Sequence, residues 1–330
     1  MGGLKIAAWF RDDKRGLFLA LSLALPAVFM GMVQAQTIVP SNAAQSERSF
    51  VPPLTLAANI SSHSKSERPI VVAVVDSGVH PDLPVLRGKL LPGVDMVSAD
   101  RNPRNGRSAD FSPDDKTASC PISNRKMGDA VFEHGSDVAS AVAVNAGSSK
   151  VRILPVKVTG VCEASRGDLI DGLLWAAGFH IEGVQDNANP ARIINISMAG
   201  GGTTCNPALQ KAITSIVDKG IVIVSAAGNT FGGAAREPAV CGGVIGVGAI
   251  NADQSKTYYT AVDERIATYA FGSSDLSIAR KPDLNNSAQT SSCEGRGCSS
   301  IAPASVGDHF FGTSYSAALV SGQIARSLLK

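Results

Sequence analysis

Five short apolar runs, rich in β-branched residues, constrain the fold of this chain more than any other feature. They occupy residues 70–78, 151–158, 191–197, 220–229 and 242–250. Runs of this kind are typical of strands that are buried on both faces of a parallel sheet, because every side chain then meets a covering layer. Each run therefore predicts one strand of such a sheet.

Helical patterns lie between the predicted strands. Residues 167–178 carry apolar side chains at helical spacing and end in glycine, and residues 206–220 end in the same way. Asn206 and Pro207 suit the N-cap and the first position of the second helix. Strands that alternate with helices predict a single α/β domain, a parallel sheet covered by helices on both faces.

Three polar residues follow the ends of predicted strands. Asp76, Ser197 and Asn229 each come directly after a stretch of apolar residues. In open α/β sheets, ligands bind in the crevice at the carboxyl ends of the strands. The sequence therefore predicts a functional site where these three residues meet.

Ser314 lies between a Gly-Thr turn and a helix of small residues, so it is either a helix N-cap or a nucleophile. The nucleophile elbow of α/β-hydrolases is excluded, since those enzymes place an acid and a histidine after the serine. The sixteen residues that follow Ser314 contain no Asp, Glu or His. A nucleophilic Ser314 would need a base and an acid from upstream, and His134 and Asp76 are available in that order.

His134 alone allows other interpretations. It stands in the segment VFEHGSDVAS, where Glu133 and Asp137 would be the nearest ligands of a metal-dependent hydrolase. Such a site needs further ligands, and the chain has no HExxH-like pair. We therefore expect no metal site here, and rank metal-dependent hydrolysis below the serine mechanism.

Five segments together resemble the subtilisin-like serine proteases, in particular secreted bacterial members that contain disulfides. In chain order they are VVAVVDSGVHPDL, HGSDVAS, INISMAGGG, VSAAGN and GTSYSAALVSG. The match extends over residues 70–325 and keeps the family's order of motifs. The resemblance implies a three-layer subtilisin-like fold and a serine endopeptidase that cleaves proteins or peptides.

The resemblance also implies a role for each matching residue. Ser314 would be the nucleophile, His134 the general base and Asp76 the acid that orients the imidazole. The Asn229 side-chain amide and the Ser314 N–H would bind the oxyanion. Substrate binding falls to residues on two segments: Ser197, Met198, Ala199, Gly200, Ala226, Ala227 and Gly228. The small residues Ala199, Gly200 and 226–228 would form the wall of the S1 pocket, and they predict an open apolar pocket.

The N-terminus predicts an export signal over residues 1–35. Basic residues precede an uncharged apolar run, and Val33 and Ala35 fit a cleavage site. Removing this segment takes away four basic and two acidic residues, so the formal net charge of +2 falls to zero. A neutral chain disfavours nucleic-acid binding. We expect a secreted or periplasmic monomer, without a membrane anchor once the signal is removed.

The remaining chain divides into residues 36–69, a polar leader or linker, and residues 70–330, the catalytic domain. The leader is shorter than the compact prodomain usual in the family. Export and an even number of cysteines predict three disulfides. The resemblance implies the pairs Cys205–Cys241 and Cys120–Cys162, with Cys293–Cys298 as a local bridge.

Some residues depart from the family pattern. Asp137 stands where members usually have a second histidine, and Ala318 and Leu319 replace a Pro-His pair. Asp137 is expected to raise the pKa of His134 if the two side chains approach each other. Ala199 replaces a glycine. These changes motivate an alternative function, a catalytically weak or inactive relative that binds peptides as an adaptor.

We expect no required cofactor. Residues 143–152 are shorter than the loop that commonly binds calcium in the family, so that calcium site is expected to be absent. The carboxylates of residues 110–115 remain an alternative location for a structural calcium ion.

Overall fold

The structure is a computed structural model of the chain. It describes residues 68–98, 129–160, 165–273 and 310–329. By its internal contacts the chain divides into residues 1–48 and 49–330, and every described residue belongs to the second unit. The predicted signal segment and nearly all of the predicted leader lie outside the described residues.

A parallel sheet forms the centre of the described domain. Its seven strands are β1 (Ile70–Asp76), β2 (Val94–Asp95), β3 (Val151–Lys157), β4 (Ile193–Ile196), β5 (Val222–Ala226), β6 (Val244–Ile250) and β7 (Thr268–Phe271). They lie in the order β2-β3-β1-β4-β5-β6-β7, and each neighbouring pair is parallel. Because β3 and β4 flank β1 on opposite sides, the strand order reverses at β1. Such a switch point is where α/β sheets place their ligand crevice.

Helices cover both faces of the sheet. They are α1 (Asp129–Ala146), α2 (Arg166–Ala176), α3 (Pro207–Asp218) and α4 (Thr313–Ser327). One apolar core lies between the sheet and α1 with α4, and a second lies between the sheet and α2 with α3. Along β1, Val72 and Val74 enter the first core while Ala73 and Val75 enter the second. This alternation follows from the two-residue period of a strand.

The five strands predicted from apolar runs are all present, with ends that differ by a few residues. The helix start predicted at Asn206 is also present, since its side chain accepts hydrogen bonds from the N–H groups of Ala208 and Leu209. In the described part of the chain, no helix is both long and apolar enough to cross a membrane.

Candidate active site

Asp76 is the last residue of β1 and lies at the carboxyl end of the sheet. It shares a strand face with Val72 and Val74, so its side chain points toward the layer of α1 and α4. Its Oδ1 accepts a hydrogen bond from the Ser77 N–H at 2.8 Å. The carboxylate is 1% exposed, and a buried charge of this kind needs polar partners to be stable.

His134 lies on α1 and supplies that partner. Its Nδ1 lies 2.8 Å from Asp76 Oδ1, an interaction that fixes the tautomer with the proton on Nδ1. Nε2 is buried and has no hydrogen-bond partner in the described structure. The imidazole is thus held at one nitrogen, and the other is left to act on a reacting group.

Gly135 allows α1 to approach the end of β1 this closely. A Cβ at Gly135 would lie 2.1 Å from the carbonyl oxygen of Gly78 and 3.2 Å from the Cβ of Asp76. The Gly135 N–H also donates to Ser77 Oγ at 3.1 Å. The glycine beside His134 is therefore required by the close approach of α1 to the end of β1 and the residues that follow it.

The environment of His134 changes its pKa in two opposing directions. Burial lowers the pKa, because a charged imidazole loses solvation. The charge of Asp76 and its hydrogen bond raise the pKa, and the charge of Asp137 raises it further. The net result is a pKa above the ordinary 6.5. The predicted direction of the Asp137 effect therefore agrees with the structure.

Ser314 is the second residue of α4 and lies at the helix terminus that carries the positive end of the dipole. Its hydroxyl donates to the carbonyl oxygen of Ser197 at 2.7 Å. The Ser197 hydroxyl in turn donates to the carbonyl oxygen of Ser314 at 2.8 Å. In this conformation the nucleophile candidate is bound to the strand-end segment rather than to His134.

A buried polar chain continues from Ser197 into the body of α4. The amide of Asn195 donates to Ser197 Oγ at 2.9 Å, and the Ser321 hydroxyl donates to Asn195 Oδ1 at 2.8 Å. All three residues are buried. The chain ties the first and third turns of α4 to β4, so it fixes the position of Ser314.

Helices α1 and α4 pack against each other behind the site. A Cβ at Gly322 would lie 2.7 Å from the carbonyl oxygen of Val142, which shows how closely the two helices approach. The ring of Phe310 contacts His134 edge-on at 5.7 Å between centroids, and contacts Tyr315 at 5.8 Å. Phe310 thus bridges the histidine and the residue next to Ser314.

Asn229 is oriented by Thr313, the residue that precedes Ser314. Its Oδ1 accepts both the N–H of Thr313 at 3.0 Å and the hydroxyl of Thr313 at 3.1 Å. The Thr313 hydroxyl also accepts the N–H of Gly228 at 3.2 Å. With its oxygen fixed in this way, Asn229 directs Nδ2 away from Thr313. The geometry suits an amide that donates to an oxyanion beside Ser314.

The predicted substrate-binding residues lie on two neighbouring segments. Ser197 to Gly200 follow β4, while Ala226 ends β5 and Ala227 and Gly228 follow it. Gly228 has a φ of 105°, and a Cβ there would lie 3.3 Å from the Cβ of Ala199. We call the space between these segments the S1 pocket. Met198 faces away from it, since its sulfur accepts the Thr159 hydroxyl at 2.8 Å.

A disulfide joins Cys205 to Cys241, with the two Cα atoms 4.9 Å apart. It connects the segment before α3 to the segment before β6. This is the bridge that the resemblance implied. Cys120, Cys162, Cys293 and Cys298 lie outside the described residues, so their pairing stays a prediction.

The metal hypothesis names Glu133 and Asp137 beside His134, and the side chain of Glu133 lies outside the described part of the chain. His134 commits Nδ1 to Asp76, and no three His, Cys, Asp or Glu side chains of the described residues converge as metal ligands. The acidic segment 110–115 lies outside the described residues. Calcium binding at that segment therefore stays a prediction.

Several residues that shape this site were not predicted from the sequence. Thr313, Asn195 and Ser321 carry hydrogen bonds that position Ser314 and Asn229, yet each was treated only as part of a motif. Their positions in the sequence could have indicated this role. Thr313 is next to Ser314, Asn195 is two residues before Ser197, and Ser321 lies on the same helix as Ser314. Phe310 gave no signal of this kind, because only the fold brings it to His134.

The sequence of this chain is similar to those of known proteases. A model of the subtilase family matches residues 67–329. An extracellular basic protease of Dichelobacter nodosus is 35% identical over 227 residues, which are 63% of this chain and 37% of that protein. An extracellular protease of Xanthomonas campestris is 34% identical over 227 residues, with the same two shares. The chain thus spans little more than a third of the length of these curated relatives.

The fold also matches solved structures. A protease structure from Pseudoalteromonas arctica aligns with a TM-score of 0.59 at 26% identity, and covers 80% of this chain and 78% of that one. Together with the parallel sheet and its two helical layers, this match confirms the predicted fold class.

Proposed function

This chain belongs to the subtilase family, and we propose that it is a serine endopeptidase in which Asp76, His134 and Ser314 form the catalytic triad. One observation carries the proposal: His134 Nδ1 lies 2.8 Å from Asp76 Oδ1, while its Nε2 is buried and free of partners in the described structure. An imidazole held in this tautomer can accept a proton at Nε2. That is what a general base for a serine hydroxyl must do.

In the proposed reaction, Ser314 attacks the carbonyl carbon of a peptide bond. Its hydroxyl first leaves the Ser197 carbonyl and turns toward His134 Nε2, which takes the proton as the new C–O bond forms. His134 then gives this proton to the leaving amine, and the peptide C–N bond breaks to leave an acyl-enzyme. Water hydrolyses the acyl-enzyme by the same route. Asp76 stabilises the imidazolium throughout.

The Asn229 Nδ2 and the Ser314 N–H would donate to the oxyanion of the tetrahedral intermediate. Thr313 fixes the amide of Asn229 through two hydrogen bonds, so the donor is oriented before the substrate arrives. Preorganised donors of this kind stabilise the transition state without reorganisation. The peptide itself would lie as an extended strand along Ser197–Gly200.

We also propose that the enzyme is exported and acts on proteins or peptides outside the cytoplasm, without a required cofactor and as a monomer. The two relatives at 34% and 35% identity carry the word extracellular in their names, which supports export. The charge of zero after signal removal supports a protein substrate rather than a nucleic acid.

An adaptor that binds peptides without cleaving them is the second candidate. The observation that favours it is the hydrogen bond from Ser314 to the carbonyl oxygen of Ser197, which withdraws the nucleophile from His134. Reaction with a fluorophosphonate probe separates the two functions. We expect covalent labelling of Ser314 in the wild-type protein and loss of labelling in the His134→Ala variant. A folded wild-type protein that never labels would support the adaptor.

A further inference from the structure

A cationic residue, Arg236, lies against both segments that bound the S1 pocket. Arg236 joins both walls: its N–H donates to the Ala227 carbonyl at 3.1 Å, and its Nη1 donates to the Gly201 carbonyl at 3.3 Å. Between these points, its Cγ lies 3.6 Å from the place where a Cβ on Gly228 would stand. The Arg236 side chain therefore runs beside the small residues that bound the pocket, and its guanidinium is held at Gly201.

The neighbouring residue does not pair with this guanidinium. Glu237 directs one carboxylate oxygen to Arg166 at 3.2 Å and the other to the N–H of Asn206 at 2.7 Å. Its side chain is 7% exposed, so the buried carboxylate is committed to these two partners. Glu237 is next to Arg236 in sequence, yet it forms its ion pair with another arginine.

A second carboxylate close to this segment, that of Asp263, is also committed. Asp263 pairs with Arg265 through two oxygens, at 2.6 and 2.8 Å, and accepts the N–H of Ala235. The hydrogen bonds from Arg265 hold the pKa of Asp263 well below its usual range. Within the part of the chain that the structure describes, Arg236 has no carboxylate partner.

We propose that Arg236 makes the S1 pocket select an acidic side chain at P1, the residue whose carbonyl Ser314 attacks. The inference rests on the proposed endopeptidase function and names its substrate class. A half-buried guanidinium with a free charge binds a carboxylate through strong, directional hydrogen bonds. An apolar P1 side chain would instead strip water from the guanidinium without replacing its hydrogen bonds.

Ala199 strengthens this selection by shape. Its methyl group faces Gly228 across the pocket, where a glycine would leave more space. A bulky aromatic P1 side chain would have to pass this methyl group and would then lie against the guanidinium of Arg236. A glutamate or aspartate side chain is narrower and ends in the group that Arg236 can bind. Both features of the pocket therefore favour the same class of substrate.

The test uses peptides that differ only at P1, with Glu, Gln, Leu or Lys at that position. We expect wild-type kcat/KM to be about tenfold or more higher for Glu than for its isostere Gln, because the site then pairs a charge. Arg236→Gln should remove this preference, and Arg236→Glu should shift it toward Lys. Arg152→Gln is the matched control. It removes the same charge at the amino end of β3, away from the site, and should keep the preference for Glu.

Active enzyme is counted in every preparation by fluorophosphonate titration. Protein that labels and cleaves these peptides but treats Glu and Gln alike would overturn this inference and leave the proposed function intact. Protein that neither labels nor cleaves any peptide would overturn the proposed function itself. If the Arg236 variants fail to fold, the wild-type ratio decides. A Glu-to-Gln ratio that falls as salt is added supports the charge pair, and a ratio near one in low salt refutes it.

Discussion

The substitution Gly135→Ala tests whether the approach of α1 to β1 sets the catalytic geometry. The added Cβ would lie 2.1 Å from the carbonyl oxygen of Gly78, a backbone atom that cannot rotate away. Contacts of a Cβ below 3.0 Å are essentially never observed, so α1 and the segment that follows β1 must shift apart by about 0.9 Å. Because His134 precedes this glycine directly, the imidazole must move with the helix.

The expected loss of activity follows from stretching the hydrogen bond between His134 and Asp76. Nδ1 and Oδ1 are 2.8 Å apart, and a displacement of about 0.9 Å along that line exceeds the range of a good hydrogen bond. A misplacement of about 1 Å in catalytic groups costs on the order of 100-fold in rate. We therefore expect kcat/KM to fall by about 100-fold.

Steady-state cleavage of a peptide gives kcat/KM, and proton NMR reports the His134 Nδ1–H, whose resonance should move upfield as the hydrogen bond weakens. The matched control is Gly242→Ala, whose Cβ would make an ordinary contact at 3.5 Å with Gln210 at the amino end of β6. It should leave both readouts unchanged. A Gly135→Ala enzyme within twofold of wild type in kcat/KM, with an unmoved resonance, would refute the geometric reasoning.

Three further predictions concern charge, oxyanion binding and stability. Asp137→Asn should lower the pKa of His134, because it removes a charge that raises this pKa. Since only the neutral imidazole is a base, the acidic limb of the pH profile of kcat/KM should move to lower pH. Superimposable pH profiles of the wild type and the variant would contradict this. Asn229→Ala should reduce kcat by about 10²–10³-fold with little change in KM, as loss of such a donor does in subtilisin; an unchanged kcat would exclude the role. Replacing Cys205 and Cys241 by alanine removes a disulfide between residues 36 positions apart, and should lower the free energy of unfolding by about 4 kcal/mol. An unchanged midpoint in urea denaturation would disprove this.

The sequence predicted the central strands because nearly all of their residues are buried. The strands β1, β3, β4, β5 and β6 are covered on both faces, so their sequences are nearly all apolar. The strands β2 and β7 lie at the two edges of the sheet and were not predicted. One has two residues, and the other has four that include exposed and half-exposed positions, so neither leaves an apolar run.

The candidate site was predicted as far as it depends on strand ends and motifs. Asp76 ends β1 and Ser197 follows β4 directly, so both lie where an α/β sheet is expected to bind its ligand. The unpaired charge of Arg236 could not be predicted from the sequence. In sequence it stands beside Glu237 and resembles half of an ion pair. Only the fold shows that Glu237 turns to Arg166, which is 71 positions away along the chain.

The two carboxylates near His134 act on the imidazole in different ways. Asp76 both charges and orients it, because Oδ1 accepts the Nδ1 proton at 2.8 Å. Asp137 lies on the same helix as His134 and acts through its charge. In the proposed mechanism, orientation decides which nitrogen faces the substrate, whereas charge decides at which pH that nitrogen is free of a proton. The family's usual histidine at position 137 would be neutral or positive, so an aspartate there raises the pKa of His134 relative to that pattern. We therefore expect this departure from the family pattern to move the pH range of activity upward.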